Sequence, residues 1–384
     1  MKAVPFTQPF VAGTELGRLA EAIEGGTLAS AGRFTGLCEE WLAERTGAQR
    51  VLLAHSGTGA LEAAAMLAEL GPGDEAIMPS FGYPTMATAV VRQGATPVFV
   101  DIDPATLNLD PEAVSAATCP RTRAVVAVHY GAVACAMDAL LDICAAAGAV
   151  LIEDAAHCLL ASYKGRALGA IGALGTLSFH QTKNVTCGEG GSLLVNDPAL
   201  TARAEVVWEK GTDRARFLRG ERERYTWIDV GSSFGASELT AAFLYAQLEH
   251  AESVTARRLA IWQRYHSAFA EHEAEGRLRR PTVPEGRVHN GHLYYLVLPS
   301  AHAREAFVAE LARAGIGTAS HYVPLHDSPA GRRFARTAGE LTHTERLSER
   351  LVRLPLFAEL DEEAVERVID TSRTAADRAV DASA

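Results

Sequence analysis

Short runs of aliphatic and β-branched residues recur through the first half of the chain, separated by stretches with a helical period. Continuous apolar runs of this length are typical of strands buried on both faces of a parallel sheet. The predicted strands cover residues 51–54, 75–79, 97–100, 124–128, 150–152 and 192–195, and a further short strand ends at 178–179. This alternation predicts an α/β fold, with a mainly parallel sheet and helices on both faces.

Helical patterns also cover residues 14–23 and 34–45, and an alanine-rich helix follows the first strand as far as residue 70. Asp110-Pro111 and Asp197-Pro198 predict two further helix starts. An aspartate at the N-cap accepts a free backbone N–H, and proline fits the first helical turn.

The pattern changes after about residue 229. Residues 237 to about 272 have a helical period without internal Gly or Pro, which predicts a helix long enough to bridge two domains. Predicted strands at 293–298 and 317–323 then mix with predicted helices at 303–314 and 344–351, and the polar tail at 373–384 is expected to fray. The prediction is a large domain over residues 1–250 and a small α+β domain over 251–384.

Charge and composition narrow the class of protein. The chain has 36 Lys plus Arg against 47 Asp plus Glu, a formal net charge of −11, which argues against nucleic acid or an anionic membrane as partner. The six cysteines form no C-x-x-C pair, residues 1–5 lack the apolar core of a signal peptide, and no apolar run reaches membrane-spanning length. We therefore expect a cytoplasmic protein.

The strand at 150–152 ends in two carboxylates, Glu153 and Asp154. Ligands of open α/β sheets lie beyond the carboxyl ends of the strands, so Asp154 is expected where a ligand binds. A carboxylate at such a place is costly unless a cation meets it, and a pyridinium nitrogen would be such a partner.

Lys183 is the second candidate. Arginine supplies most of the positive charge, and the chain has only four lysines: Lys2, Lys164, Lys183 and Lys210. A lysine beside an apolar strand end indicates a need for a titratable amine, which arginine cannot provide. Singly, Asp154 is equally well a helix cap and Lys183 a solvated loop residue. Together, and with glycines at 188, 190 and 191, they favour one site for pyridoxal phosphate (PLP).

The start of the alanine-rich helix is a candidate phosphate site. Gly57 and Thr58 lie where free backbone N–H groups meet small side chains. Gly57 and Gly59 after a strand also suggest a dinucleotide fingerprint, but Glu62 occupies its third glycine position. A nicotinamide cofactor is therefore weakly supported, and a plain tight turn is a further alternative. A metal site is not expected, because His289 and His292 have no accompanying Cys or carboxylate set.

Several motifs, in order along most of the chain, resemble the DegT/StrS family of sugar-nucleotide aminotransferases. They are Ser56-Gly57-Thr58, Pro79-Ser80-Phe81-Gly82-Tyr83, Glu153-Asp154-Ala155-Ala156-His157, Ser178-Phe179-His180-Gln181-Thr182-Lys183-Asn184 and Tyr322-Val323-Pro324-Leu325-His326. Within the family the chain is most similar to transaminases acting on dTDP-4-dehydro-6-deoxyglucose, through stretches that include Val128-His129-Tyr130, Tyr225-Thr226-Trp227 and Arg353-Leu354-Pro355-Leu356-Phe357.

The resemblance implies a fold-type I PLP-dependent transferase and a role for each matching residue. Lys183 would bind the cofactor covalently and act as the proton carrier. Asp154 would pair with the pyridine nitrogen. His157, a glutamine in many relatives, would approach the ring hydroxyl, and Tyr83 would stack on the ring.

The resemblance also implies phosphate contacts from Gly57, Thr58 and Ser178. Family members often add an asparagine from a neighbouring subunit, and Ser233 occupies that position here. A homodimer with shared active sites is therefore expected, although the shorter serine makes this one contact less secure.

For the substrates, the resemblance implies transfer of an amino group from glutamate to C4 of a dTDP-4-keto-6-deoxyhexose. His180, Tyr322 and His326 would face the sugar. An arginine-rich loop that contains Arg219 is a candidate for its diphosphate, although a solvated, salt-bridged loop is an equally good interpretation. The alternatives are a 3-aminotransferase of the same family, an NAD-dependent sugar-nucleotide oxidoreductase, and a PLP-binding protein without catalysis.

Overall fold

The computed structural model describes residues 3–381. The strands in chain order are β1 (Arg50–Ala54), β2 (Glu75–Pro79), β3 (Thr96–Val100), β4 (Thr122–Val128), β5 (Val150–Asp154), β6 (Ser162–Tyr163), β7 (Arg166–Ala167), β8 (Leu174–Ser178), β9 (Gly191–Val195), β10 (Arg287–Val288), β11 (Tyr294–Val297), β12 (Arg336–Thr337) and β13 (Leu351–Leu354). All six strands predicted for the first 200 residues are present, with bounds that differ by at most two residues.

The α-helices alternate with these strands. They are α1 (Glu15–Glu24), α2 (Arg33–Thr46), α3 (Gly57–Leu67), α4 (Thr85–Arg92), α5 (Pro111–Ala117), α6 (Met137–Ala147), α7 (Thr201–Trp208), α8 (Arg214–Leu218), α9 (Glu238–Leu248), α10 (Ala251–Ala268), α11 (Ala270–Ala274), α12 (Ala301–Arg313), α13 (Pro329–Phe334), α14 (Thr342–Ser348) and α15 (Glu362–Asp381). Asp110 caps α5 as predicted, by accepting the N–H of Glu112. Asp197 instead starts a short 3-10 turn that leads into α7.

Eight strands form the central sheet, in the order β1-β9-β8-β5-β4-β2-β3-β12. Every neighbouring pair is parallel except the two pairs that contain β9. The predicted α/β fold with a mainly parallel sheet is therefore confirmed. The carboxyl ends of β2, β4, β5 and β8 all lie at one edge, where ligands bind in sheets of this kind.

Alternating side chains of each strand enter two different apolar cores. Val125 and Leu151 pack on one face of the sheet, whereas their neighbours Val126 and Ile152 pack on the other. Since successive strand residues point to opposite faces, a strand covered by helices on both sides must be apolar throughout. This requirement explains the continuous apolar runs in the sequence.

The single bridging helix predicted for residues 237–272 is wrong. The segment forms α9, α10 and α11, and the chain leaves helical geometry at His250, with φ −112° and ψ 4°. The two longer helices serve different cores. Leu244 and Leu248 of α9 pack in the core of the large sheet, while Trp262 and Tyr265 of α10 pack in a C-terminal core. One straight helix could not reach both.

The C-terminal core lies between the antiparallel pair β11–β13 and the helices α10, α12 and α15. Residues 317–323 do not form the predicted strand; Ala319 makes only an isolated bridge to Arg353. The predicted helix at 344–351 ends at Ser348 as α14, and β13 follows. The predicted fraying from residue 373 is also wrong as far as residue 381, because α15 continues and buries Ala376. Residues 382–384 lie outside the described range.

Two contacts join parts of the chain that are far apart in sequence. Strand β12 pairs with β3 of the central sheet, and Arg336 and Arg121 both donate to the buried carboxylate of Glu75. Near the amino terminus, Val4 exchanges backbone hydrogen bonds with Gly315 and Gly317. The division of the chain at residues 250 and 251 stays a prediction. None of the helices in the described residues is long and apolar enough to cross a membrane.

Candidate active site

A cavity of about 420 Å³ opens at the carboxyl ends of β4, β5 and β8. The central sheet supplies one wall, and the segments at 321–322 and 353–356 supply the opposite wall. Nine of the predicted site residues line this cavity: Gly57, Thr58, Tyr83, Asp154, His157, Ser178, His180, Lys183 and Tyr322. Residues separated by up to 265 positions are thus brought to one place.

Lys183 lies on the loop that leaves β8 and returns as β9. Hydrogen bonds within the loop hold its shape. The Lys183 N–H donates to the His180 carbonyl, and the Thr186 hydroxyl donates to the Phe179 carbonyl. Burial lowers the pKa of the Lys183 amine to about 8, attraction to Asp154 opposes this shift, and repulsion from Arg353 adds to it. The lowered pKa provides the titratable amine that the sequence predicts.

Asp154 ends β5 with its side chain toward the cavity, and it is 7% exposed. Burial raises the pKa of its carboxyl, while the N–H of Ala156, which donates at 3.1 Å, and the nearby Lys183 act in the opposite direction. A buried carboxylate with one hydrogen bond from the protein has room to accept another from a ligand cation.

Adjacent to Asp154 on the same strand, Glu153 points to the opposite face and is fully buried. Its two oxygens accept the N–H groups of Gly169, Ile171 and Gly172 at 2.9, 2.6 and 2.6 Å. They also accept from His129 Nε2 at 2.9 Å, while the N–H of Cys135 donates to His129 Nδ1. These hydrogen bonds to Glu153 hold β5, and therefore Asp154, in position.

A chain of side chains connects the two loops that carry Lys183 and His157. His292 stacks on the His157 ring with centroids 4.1 Å apart, and its Nδ1 contacts the Oδ1 atom of Asn184 at 3.0 Å. Asn290 donates to the carbonyls of His157 and Leu159 and accepts from Asn184. Burial and the positive charge of Lys183 place the pKa of His157 well below its usual value, so its ring is neutral.

The amino terminus of α3 forms a phosphate-sized cradle. Ser56 caps the helix by accepting the N–H of Gly59 at 3.0 Å. Among the described residues, nothing accepts from the N–H groups of Gly57 and Thr58, which belong to the first helical turn. A Cβ on Gly57 would lie 3.0 Å from that of Ser178, so glycine lets the backbone approach the serine closely. Such an N-terminus binds an anionic group.

The remaining predicted residues of the cavity differ in exposure. Tyr83 is 64% exposed. The ring of Tyr322 is packed against Phe81 and His321. His180 is half-exposed, with its Nδ1 2.9 Å from the hydroxyl of Thr182. All three side chains have an aromatic ring and a polar atom. Such side chains can stack on a flat ring or form hydrogen bonds with a sugar.

Three predicted residues are not brought to this cavity within the chain. His326 contacts the hydroxyl of Ser80 at 2.7 Å and a carboxylate oxygen of Glu345 at 3.2 Å. Arg219 forms ion pairs with the carboxylates of Glu205 and Glu221. Ser233 forms an isolated bridge with Glu209. His326 and Arg219 therefore already have protein partners, and Ser233 is not among the residues that line the cavity of its own chain.

Sequence reasoning missed three groups of the opposite wall: Phe6, His321 and Arg353. Arg353 carried a signal, because it interrupts the otherwise apolar strand Leu351-Val352-Arg353-Leu354, where a charge is costly. His321 and Phe6 carried none, since only the folded chain brings residue 6 beside residue 353. No group of three or more His, Cys, Asp or Glu in residues 3–381 is arranged to hold a metal ion.

The cavity fits PLP. It combines the Lys183 amine, whose pKa is lowered, with the buried carboxylate of Asp154, which can pair with a pyridinium nitrogen. The N-terminus of α3 adds free N–H groups that can bind a phosphate. In addition, Gly191 passes so close that a Cβ there would lie 2.4 Å from the backbone nitrogen of Gly57. Only glycine leaves that nitrogen accessible.

Comparisons with known proteins agree with this chemistry. The sequence profile of the DegT/DnrJ/EryC1/StrS aminotransferase family matches residues 11–373. The chain is 33% identical over 378 residues to the spore coat polysaccharide biosynthesis protein SpsC of Bacillus subtilis, covering 96% of each chain.

Solved structures are similar over the whole chain. The aminotransferase TlmJ from Streptoalloteichus hindustanus is 30% identical with a TM-score of 0.89, covering 98% of this chain and 99% of that one. Spr1654 from Streptococcus pneumoniae, assigned as a sugar aminotransferase and crystallised in its PMP form, is 26% identical with a TM-score of 0.91 and full coverage of both chains.

Proposed function

The chain belongs to the DegT/DnrJ/EryC1/StrS aminotransferase family and is a PLP-dependent sugar aminotransferase, and we propose that it transfers an amino group from glutamate to C4 of a dTDP-4-keto-6-deoxyhexose. Family membership excludes the NAD-dependent oxidoreductase and the non-catalytic PLP-binding protein that the sequence left open. The observation that carries the proposal is the placement of Lys183 and Asp154 in one cavity.

PLP, when bound, supplies an aldehyde and an electron-withdrawing ring. The side chains prepare the site for both. Lys183 is the covalent anchor, and its lowered pKa leaves a useful fraction of the amine unprotonated near neutral pH. When PLP is bound and a substrate amine has taken the place of Lys183, the same Nζ atom would accept a proton from the donor carbon and return one to the acceptor carbon.

Asp154 is buried, and its negative charge would keep a proton on the ring nitrogen of bound PLP. Neutral His157 would offer a ring N–H to the ring oxygen of bound PLP without adding a second cation near Lys183. The N–H groups of Gly57 and Thr58, with the Ser178 hydroxyl, would hold the phosphate. Tyr83 would cover one face of the ring.

The acceptor class is supported by two polar side chains that line the cavity. His180 and Tyr322 present polar groups to the cavity, as recognition of sugar hydroxyls requires. The similarity to SpsC, a polysaccharide biosynthesis protein, points to the same class. The choice of a dTDP-linked 4-keto sugar depends on the motif likeness around residues 128–130, 225–227 and 353–357.

We also propose a homodimer. The segment between Glu209 and Ser233 projects exposed apolar side chains, among them Leu218 at 60%, Trp227 at 75% and Val230 at 65%. An exposed apolar cluster of this kind is typical of an interface. Since Ser233 ends the same segment, a second copy covering it would bring Ser233 to the partner's cavity. The six cysteines are free, as expected for an enzyme of the cytoplasm.

The test is incubation of the enzyme with PLP, glutamate and either dTDP-4-keto-6-deoxyglucose or its 3-keto isomer, with NMR of the product. We expect an amine at C4 and formation of 2-oxoglutarate. If only the 3-keto isomer were aminated, the enzyme would be a 3-aminotransferase. If neither sugar were aminated, the proposed nucleotide-sugar substrate would be wrong.

A further inference from the structure

A second, much smaller cavity adjoins the cofactor cavity. Its volume is about 10 Å³, which is the space that one water molecule needs. Five residues line both cavities: Ala156, His157, Ser178, Lys183 and His292. The small cavity therefore lies against the part of the wall that carries Lys183, and the proposed transfer chemistry gives it no role.

One buried acceptor on the small cavity has no partner. The Oδ1 atom of Asn290 accepts no hydrogen bond within residues 3–381, and the residue is 1% exposed. Its Nδ2 atom donates to the carbonyls of His157 and Leu159 at 2.7 and 2.8 Å. These two bonds fix the orientation of the amide, because a reversed amide would place its oxygen against two carbonyl oxygens. An unpaired buried oxygen is costly unless a molecule in the cavity donates to it.

The amine of Lys183 is the second group of the small cavity without a partner. No side chain or backbone atom in the described part of the chain forms a hydrogen bond with it. Burial lowers the pKa of this amine to about 8, so its removal from bulk water already affects it. Since Lys183 Nζ and Asn290 Oδ1 form no direct hydrogen bond, a molecule that joins them must lie between them.

His292 supplies a further acceptor. Asn184 Nδ2 donates to the Asn290 carbonyl at 3.1 Å, so the Oδ1 atom of Asn184 is the one that meets His292 Nδ1 at 3.0 Å. Nδ1 of His292 therefore carries the proton. Burial and neighbouring positive groups hold the pKa of His292 well below its usual value, so the ring is neutral and Nε2 is an acceptor. Two acceptors and one amine suit the two donors and two lone pairs of a water molecule.

We propose that the small cavity is a binding site for one water molecule, which donates to Asn290 Oδ1 and His292 Nε2 and accepts from the Lys183 amine whenever that amine is not bound to PLP. Asn290 is then a positioning residue, because it acts on Lys183 through the water. The water would hold the free amine at the edge of the cofactor cavity, where the aldehyde of PLP arrives. This inference rests on the proposed role of Lys183 as covalent anchor and not on the identity of the sugar.

The first test is a crystal structure of the cofactor-free wild-type enzyme, at a resolution that shows ordered water. We expect one water within about 3.2 Å of both Asn290 Oδ1 and Lys183 Nζ. A small cavity without this water, or a direct hydrogen bond between Nζ and Oδ1, would overturn the inference.

The second test fills the small cavity. Val185→Ile adds one carbon to a side chain that lines the small cavity but not the cofactor cavity, so it should displace the water. Val114→Ile is the matched control, because Val114 is buried in the same apolar core and lines neither cavity. We would measure the rate at which the cofactor-free enzyme captures PLP, by absorbance, and the affinity for pyridoxamine phosphate (PMP), by calorimetry. PMP has an amine in place of the aldehyde, so it does not react with Lys183.

For Val185→Ile we expect the rate constant for PLP capture to fall about fivefold, because the amine loses one bridging hydrogen bond. The affinity for PMP should stay within about twofold of wild type. Both quantities should stay within about twofold for Val114→Ile.

An equal loss of PLP capture and PMP affinity would mean that Val185→Ile distorts the cofactor cavity. Unchanged capture in a variant whose crystal structure lacks the water would mean that the water does not position Lys183. Either result overturns the inference, and if Val185→Ile does not fold, the wild-type crystal structure decides alone. None of these measurements uses an acceptor, so failure of the proposed sugar substrate would not change their outcome.

Discussion

The two faces of strand β5 carry adjacent carboxylates that have opposite roles. Glu153 accepts four hydrogen bonds from the protein and is sealed in the interior. Asp154 accepts one, from Ala156, and borders the cavity with Lys183. Both are buried, so burial alone does not distinguish them. The difference lies in how many lone pairs the protein has already filled, and it indicates that Glu153 stabilises the fold while Asp154 is kept for a ligand.

The largest effect should come from removing the amine on the cavity face. Lys183→Ala would remove the side chain proposed as both covalent anchor and proton carrier, so we expect glutamate-dependent turnover to fall by at least about 10⁴-fold. Turnover is measured by 2-oxoglutarate formation, and far-UV circular dichroism should show an intact fold. Near-normal turnover would refute the assignment of Lys183.

Asp154→Asn should lower turnover roughly 10³-fold, because the neutral amide cannot hold a positive charge on the ring nitrogen. The variant should still bind PLP, as seen by absorbance after gel filtration. Its free energy of unfolding should change by less than about 1 kcal/mol, since only one protein hydrogen bond is involved. An unimpaired rate would mean that another group meets the ring nitrogen.

Glu153→Gln should show the reverse pattern. An amide NH₂ would face backbone N–H groups that now donate to a carboxylate, which leaves buried donors unpaired. We expect a loss of about 3 kcal/mol in the free energy of unfolding, measured by urea denaturation. Turnover per folded molecule should stay within about tenfold of wild type. If Glu153→Gln were as stable as wild type but inactive, the conclusion that Glu153 stabilises the fold would be wrong.

The smallest effect concerns pH. The pKa of Lys183 is lowered from 10.5 to about 8 in the folded chain, so between these values the unfolded chain binds more protons than the folded chain. The free energy of unfolding of the cofactor-free enzyme should therefore rise with pH over this window, by about 2 kcal/mol after allowance for the open cavity.

Lys183→Met is the matched control for this measurement, because it removes only the titrating group. The difference in free energy of unfolding between the two proteins should increase from about pH 8 and level off above about pH 10.5. A flat difference across this range would show that the amine is not desolvated in the folded protein.

Local pattern was sufficient to predict most of the sheet and to place Asp154 and Lys183 at the ends of buried strands. Continuous apolar runs determine strands with two covered faces, and Asp154 and Lys183 each follow such a run. The failures have a different cause. The break at His250 reflects which cores α9 and α10 enter, and the absent strand at 317–323 reflects a lack of neighbours for pairing. Both depend on the assembled molecule.

The opposite wall of the cavity shows the same limit. Arg353 could be suspected from its position in an apolar strand, but its contacts with His321 and Phe6 join residues far apart in the chain. Likewise, nothing local distinguished Arg219, which the fold pairs with Glu205 and Glu221, from an arginine free to bind a diphosphate.

The hydrogen bonds of Val4 to Gly315 and Gly317 place the first residues of the chain two positions from Phe6 and the cavity wall. An affinity tag fused ahead of Val4 would therefore be joined to the chain close to the cavity wall that contains Phe6. Recombinant enzyme should therefore carry its purification handle at the carboxyl end, or be cleaved back before kinetic constants are compared. Crystals grown for substrate soaking would benefit from the same precaution.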